Sequence, residues 1–453
     1  METPSDTSSL TGWGRTAATV ATIGRPRSTQ EVAKLLAEAP ARGAIARGLG
    51  RAYGDAAQDA GGLVLDCTQL APSRTIDPET GVVRASAGVS LDTLMRDLVP
   101  LGWFVPITPG TRYVTVGGAV AADIHGKNHH VDGSFGDFLL SFTLVTPGGE
   151  IRHVTPEDDP DLFWATVGGL GLTGVLTEAT FRCIPVETSR MRVDTERARN
   201  LDHAMELMAG ADDRYRYTVA WIDLLARGQA MGRSVLTRGD HASLDELPSR
   251  HRGRPLSYGP RTPPSAPPWA PNGLLNKLTV RAFNELWFRK APVERRGEIQ
   301  SIPAFFHPLD LLHRWNTLYG SQGLLQYQPV IPFGQEDALR RVVDRLSSSG
   351  IASFLAVLKR FGPGNAGMMS FPMAGWTISL DIPGSAPGLA ALLAELDQIV
   401  VGAGGRVYLA KDSVLAAESL PHMYPRLDEW QAVRRRVDPA GVLRSDLARR
   451  LSI

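Results

Sequence analysis

Apolar positions recur along this chain in two periods, and the period changes from segment to segment. Ser28 stands three residues before Glu31 and ahead of the helical stripe Val32, Leu35 and Leu36. A helix is therefore predicted from 28, with Ser28 as N-cap in a capping box. Apolar runs at 63–66 and 82–85, separated by the turn residues of 77–81, read as strands, and Ser90 caps a second helix over 91–98. Residues 139–146 and 150–154 form a hairpin pattern around Pro147-Gly148-Gly149, 161–166 reads as helix, and 175–184 alternates as a strand. Beyond about 190 the pattern is mixed, with strands expected at 215–224, 323–331, 352–360 and 375–382. A strand at 406–410 and an Arg-rich helical tail ending near 451 follow. Residues 1–27 read as a polar lead-in with Trp13 as a docking point.

Two stretches stand outside this regular pattern. Residues 255–271 hold too many prolines for regular structure and read as a mobile or extended surface loop. The next stretch, 274–290, places Leu275, Leu278, Phe283, Leu286 and Trp287 at near-helical spacing among Lys277, Arg281, Arg289 and Lys290. Two readings fit it: a core-facing helix with solvated charges, or an interfacial helix resting on anionic lipid.

Composition narrows the class. At 453 residues the chain is long for one core, so two domains are expected. A formal net charge of +1 gives no electrostatic footprint for nucleic acid. Cys67 and Cys183 lie far apart without C-x-x-C spacing, which argues against a disulfide scaffold, a zinc ribbon or an iron–sulfur site. No apolar run approaches the ~18 residues of a spanning helix and no signal-peptide h-region is visible, so membrane contact is expected to be peripheral.

The chemistry-bearing residues gather in glycine-rich and polar segments. Arg47-Gly48-Leu49-Gly50-Arg51-Ala52-Tyr53-Gly54-Asp55 follows the apolar Ala44 to Ala46, and its glycines allow backbone N–H groups to close on a phosphate. Its spacing is G-x-G-x-x-x-G. True G-x-G-x-x-G matches occur at 169–174 and 362–367, but a helix precedes the first and Pro372 follows the second, so a Rossmann domain is rejected. His125, His129 and His130 lack the Glu and third ligand of a metalloprotease pattern, so no metal is expected. Gln326 and Gln328 share one face of an apparent strand, as do Thr377 and Ser379. Such pairs suit a sugar-binding wall or a solvated sheet face equally.

Four segments in order carry a resemblance: R-G-L-G-R-A-Y-G-D (47–55), P-G-T…T-V-G-G (109–118), G-G-L-G-L-T-G-V (168–175) and R-V-Y-L-A-K (406–411). Together they resemble the vanillyl-alcohol-oxidase/para-cresol-methylhydroxylase family of FAD oxidoreductases. Tyr408 and Leu409 replace the His-Trp of the family's C-terminal segment. The segments A-D-I-H-G-K-N-H-H (122–130), L-Q-Y-Q (325–328), V-L-K-R-F-G (357–362), G-W-T-I-S-L-D (375–381), Y-L-A-K-D-S (408–413) and M-Y-P-R-L-D-E-W (423–430) are similar to members of that family that oxidise the ribose 2′-hydroxyl of polyprenyl-phosphate sugars in arabinan precursor synthesis.

The resemblance implies an α+β fold in which an FAD domain, 1–189 plus 406–453, is interrupted by a sheet-based substrate domain, 190–405. FAD would be held by Ala46 and by Arg47 to Asp55, with Gly110, Thr115, Val116, Gly117, Gly118, Ala122, Asp123, Ile124 and His125 along the flavin. Gly174 and Val175 would lie on the adenine side and Tyr408 by the ring. Many relatives bond FAD through a His where this chain has Arg51, so non-covalent FAD is expected. Lys411 and His125 are the expected catalytic residues, Lys411 managing the hydroxyl proton or anchoring the phosphate. Gln326, Gln328, Thr377, Ser379, Lys359, Lys127 and Trp221 are expected around the substrate. Ser379 departs from the pattern, members of this group often carrying Cys there. A separate NADH-dependent keto-reductase and a cell-envelope location, periplasmic or on the cytoplasmic face of the membrane, belong to the same expectation. Its alternatives are an alditol or aldonolactone oxidase of the same fold, and a flavin-free sugar-lipid binding protein.

Overall fold

Ser28 accepts a hydrogen bond from the Glu31 amide and opens the helix Thr29–Ala37, which buries Val32 and Leu36. In the computed structural model, which describes residues 6–453 apart from 263, 268–270, 272 and 274, this helix links two strands of a small sheet. That sheet comprises β1 (Asp6–Thr11), β2 (Ala18–Gly24), β3 (Ala44–Arg47) and β4 (Leu63–Asp66) in the order β1-β2-β4-β3. The expected polar lead-in is thus corrected: from residue 6 it forms an antiparallel pair, β1 with β2. β1 is an edge strand held by its ladder bonds, so its sequence needs little apolar signal.

The second sheet uses β5 (Arg74–Ile76), β6 (Val82–Ser86), β8 (Leu139–Val145), β9 (Ile151–Val154) and β10 (Val175–Arg182), while β7 (Trp103–Phe104) pairs separately with β11 (Ile184–Pro185). Its order is β5-β6-β10-β8-β9, all antiparallel. Ser90 caps the helix Leu91–Leu98 by accepting from the Thr93 amide, and Thr115 caps Val116–Ala121 in the same way. The latter, built of small residues, lies against β6 and β10.

Nine further strands make one large antiparallel sheet: β12 (Arg190–Ala198), β13 (Tyr217–Ile222), β14 (Ser234–His241), β15 (Glu294–Ser301), β16 (Leu324–Tyr327), β17 (Pro329–Pro332), β18 (Ala356–Phe361), β19 (Gly375–Pro383) and β20 (Arg406–Val407). The order is β15-β12-β14-β13-β18-β19-β17-β20, with β16 pairing the far half of β19. The architecture is α+β.

Two expectations change here. The strand expected over 406–410 is only β20, which closes the edge of the large sheet against β17. The chain then turns, with the Lys411 amide donating to the Tyr408 carbonyl, and the Ala410 carbonyl accepts from the Tyr53 amide at 3.0 Å. The helix Lys277–Lys290 does not turn its apolar stripe to the core. Leu278 and Leu286 are 80% and 67% exposed, while Val280 and Asn284 are buried. Asn284 donates to Asp223 at 2.7 Å, so a polar anchor selects the buried face. The described part of 255–271 has no helix or strand, only a bridge from Ser265 to His313; 263 and 268–270 of that loop, and Leu274, lie outside the described residues.

After β20 the chain returns to the small sheet. Ala44 donates to Val442 and accepts from Arg444, each at 2.9 Å. Arg450 pairs with Asp55 and Asp412 at 2.9 and 2.8 Å. These contacts fix the first glycine loop from behind.

Candidate active site

A cavity of about 990 Å³ runs between the glycine-rich loops and one face of the large sheet. That is the upper end of the ~300–1,000 Å³ usual for small-molecule sites. At one end it is lined by Ala46 to Tyr53, Gly110, Thr115, Gly117, Gly118, Ala122, Ile124 and Gly174. This end has the properties of a cradle. Among the described residues, no protein acceptor receives the N–H of Leu49, Gly50, Arg51 or Ala52. A Cβ on Gly110 would meet nothing within 4 Å, whereas one on Gly48 would sit 2.3 Å from the Thr115 hydroxyl. Arg51 lies with its guanidinium carbon 4.0 Å from the Trp13 ring centroid, which puts Trp13 in the same wall. The Arg47 side chain instead donates to the Thr11 and Ala57 carbonyls, tying the loop to β1.

Six residues expected to line the ligand stand behind the wall. Gly54 packs on Asp412, where a Cβ would fall 1.9 Å from the carbonyl oxygen. Asp55 is engaged by Arg450. Val116 and Val175 are core residues. Asp123, at φ +39°, accepts from Ser134, Ser370, Asn365 and the Gly136 amide, and so pins the backbone that carries Ile124 and His125. Thr377 donates to the Pro329 carbonyl and accepts from Gln328.

Where the loops meet the large sheet, the cavity brings together Lys127, Lys359, Lys411, His125, Gln326, Gln328, Ser379 and Tyr408, with Trp221 further along the sheet. Tyr408 donates to the Ala122 carbonyl at 2.7 Å and stacks on Phe371. Gln328 donates to His125 Nε2 at 2.9 Å, which places the ring proton on Nδ1, an atom without a protein partner. His125 begins no helix; His129 opens the next one, so the two do not share a helical face. His129 packs on Phe361 at 4.4 Å between ring centroids.

Three ammonium groups in one low-dielectric space disfavour their own charge. Burial pushes Lys127 down to about 7, with Lys359 adding repulsion. Burial brings Lys359 down to about 8. Lys411 is also pushed down by burial, against the pull of Asp381. Burial and the lysine charges hold His125 well below its usual range, consistent with a neutral ring. Asp381 is pushed up by burial and accepts from Gln326. Its other oxygen, Gln326 Oε1 and the Tyr319 hydroxyl are buried without protein partners. Unmet groups of this kind cost about 1–3 kcal/mol each, and of the three residues Gln326 lines the cavity.

Asp381 was missed from the sequence. The polar period Thr377, Ser379 extends one step further to it along β19, and the pairing Gln326 to Asp381 is set by register across strands far apart in the chain. Tyr319 and Phe305 gave no sequence signal; the Phe305 carbonyl accepts from Lys127, and its ring centroid lies 4.2 Å from the Lys127 nitrogen.

Comparison with known proteins agrees with this geometry. Residues 20–155 match the FAD binding domain family, and residues 383–451 match the D-arabinono-1,4-lactone oxidase family. The decaprenylphosphoryl-beta-D-ribose oxidase of Mycolicibacterium smegmatis is 46% identical over 457 residues, covering 100% of this chain and 99% of that protein. An uncharacterised protein of Streptomyces coelicolor is 45% identical over 374 residues, 81% of this chain and 100% of its own length. An L-gulono-1,4-lactone dehydrogenase of Mycobacterium tuberculosis is 24% identical over 448 residues, 95% of each chain. The glycine cradle fits FAD, and FAD is the cofactor. With its whole length aligned to an oxidase, the chain belongs to the decaprenylphosphoryl-beta-D-ribose oxidase family, FAD-dependent oxidoreductases of the vanillyl-alcohol-oxidase type.

Proposed function

We propose that this enzyme oxidises the 2′-hydroxyl of decaprenylphosphoryl-β-D-ribose to a ketone during synthesis of cell-wall arabinan precursors. One observation carries the reading. Lys411, Lys359, Lys127 and His125 converge where the FAD cradle meets the large sheet, in a chain similar over its whole length to an oxidase of that name. The FAD portion is then 1–189 with the segment after β20, and the substrate portion is the large sheet with its helices.

Bound FAD supplies the two-electron acceptor for the hydrogen leaving the carbinol carbon. Lys411 Nζ, partly neutral because it is buried, takes the hydroxyl proton. Lys359 and Lys127 supply positive charge for the phosphate, and Gln326, Gln328 and Ser379 orient the sugar hydroxyls. Asp381 holds Gln326 and shifts Lys411 electrostatically without touching substrate. Arg51, occupied with Trp13, leaves the flavin unbonded; acid precipitation is expected to release all of it into the supernatant.

The ketone requires a separate NADH-dependent keto-reductase to complete an epimerisation. A lipid-tailed substrate also calls for contact with a membrane. Among the described residues no helix is long and apolar enough to cross one. Leu278 and Leu286, exposed among Lys277, Arg281 and Arg289, offer peripheral contact with an anionic lipid surface at the cell envelope.

Anaerobic mixing with a polyprenyl-phosphoryl ribose tests the oxidation, and bleaching of the flavin is expected. Because 383–451 matches the lactone oxidases, xylitol and a sugar lactone are the informative comparators. Bleaching by these and not by the ribose ester would move the reading to alditol or aldonolactone oxidation.

A further inference from the structure

The part of the cavity beyond the lysines has no role in the chemistry above. Its floor is a single face of the large sheet, and the strand register fixes which side chains lie in line. Ser379 is opposite Val357, Val357 opposite Trp221, and Trp221 opposite Val235. All four line the cavity. Strands are about 4.8 Å apart, so this row extends roughly 14 Å away from Ser379. Directly beside it runs a more polar row, in which Val219 is opposite Thr237 and Thr237 opposite Thr195.

The roof over the apolar row is the 277–290 helix, and it is fastened. Asn284 donates to Asp223 at 2.7 Å, Glu285 pairs with Arg233 at 2.7 Å, and the guanidinium carbons of Arg233 and Arg197 lie 4.7 and 5.3 Å from the Phe288 ring centroid. This places Phe283 and Trp287 on the cavity, Phe283 4.6 Å from Phe354 between ring centroids. An apolar slot between a sheet and a pinned aromatic helix suits a long narrow hydrocarbon.

We propose that Val357, Trp221 and Val235, roofed by Phe283 and Trp287, form a subsite for the first isoprene units of a prenyl phosphate whose phosphate sits at Lys359. The inference rests on the proposed function for the identity of the head group, but the slot itself depends only on sheet register and the fastened helix. It makes tail recognition a property of the substrate portion, separate from the oxidising chemistry. A substrate lacking the prenyl stem forgoes these contacts and gains nothing from the slot.

The test uses the FAD-loaded enzyme and two variants: Val235→Asp in the floor and Trp287→Ser in the half-exposed roof, the second safe for folding. Two probes are compared by anaerobic flavin bleaching, the farnesyl and the methyl esters of ribose 1-phosphate. Binding of farnesyl phosphate alone is followed by tryptophan fluorescence. Wild type is expected to show a KM at least about tenfold lower for the farnesyl ester, an apolar pocket contact being worth that order. Both variants should lose most of this difference while keeping kcat and the methyl-ester KM within about twofold. They should also weaken farnesyl phosphate binding by about tenfold. Equal KM shifts for both esters, or unchanged farnesyl phosphate binding in both variants, would overturn the subsite. If farnesyl phosphate binding depends on Val235 while neither ribose ester bleaches the flavin, the subsite stands and the ribose reading falls.

Discussion

The Lys411 ammonium nitrogen lies 4.0 Å from the centroid of the Tyr53 ring, joining the end of the large sheet to the first glycine loop. The backbones meet at the same place, Tyr53 N–H donating to Ala410. On the proposed mechanism this residue reaches both cofactor and substrate, and it is held between the two portions proposed to carry them.

Lys411→Met removes the proposed proton acceptor and leaves the glycine loops unchanged. The rate of flavin bleaching by substrate should fall about 10²–10⁴-fold, with the FAD content of the purified protein unchanged. Stopped-flow spectrophotometry measures this, and a fall of less than about threefold would exclude the proton-transfer role.

The depressed lysines give the pH profile a sign. Lys359 titrates near about 8 and Lys127 near about 7, and only their protonated forms attract phosphate. KM for a phosphorylated substrate should therefore rise as pH climbs through this window. The bleaching step, which on the proposed mechanism needs neutral Lys411, should accelerate in the same direction. Steady-state profiles from about pH 6 to about pH 10 separate the two. A flat KM, or one falling with pH, would remove the lysines from phosphate binding.

Asp123→Asn puts an amide donor among four groups that already donate. The cost should be about 1–3 kcal/mol of stability, seen as a lower Tm. Because the same loop carries His125, the flavin absorption bands should shift as well. A stable variant with an unchanged spectrum would show that the network does not position the site.

Gly54→Ala and Gly110→Ala should behave oppositely. At Gly54 the new methyl overlaps a backbone carbonyl, so the protein should be recovered poorly and without yellow colour. At Gly110 it enters open space, so stability should change by less than about 0.5 kcal/mol while FAD affinity falls. Thermal melts with and without added FAD distinguish them. Equal affinity for FAD in Gly110→Ala would place that residue outside the cradle.

Leu278→Ser with Leu286→Ser should abolish cosedimentation with vesicles containing anionic lipid and leave bleaching by a detergent-dispersed substrate unchanged. Undiminished cosedimentation would rule out this face as the membrane contact.

What the sequence made legible was local. Ser28 and Ser90 cap helices because each sits three residues before the amide it accepts from. The hairpin of β8 and β9 follows from Pro147-Gly148-Gly149. The Rossmann pattern could be rejected because the helix Pro160–Thr166 precedes the glycines and β10 follows them. What stayed hidden depends on partners distant in the chain. β20 joins the large sheet through β17, and Asp381 meets Gln326 through register. For the 277–290 helix the core-facing reading fails, because Asn284 and Glu285 hold the inner face through polar contacts with Asp223 and Arg233, which apolar spacing does not mark. At the site, residue types and order pointed to the segments that line the cavity; which side chains reach it and which only brace it was a matter of packing.

The return of the chain after β20 has a consequence for how the protein is made. Ala44, Asp55 and Asp59 sit within the first 60 residues, yet their partners Val442, Arg444, Arg450 and Arg449 are among the last twelve. On the ribosome the first glycine loop emerges early and lacks these braces until residues 442–450 have been made. Premature termination anywhere upstream of 442 therefore yields a chain whose earliest strands lack the braces that hold them.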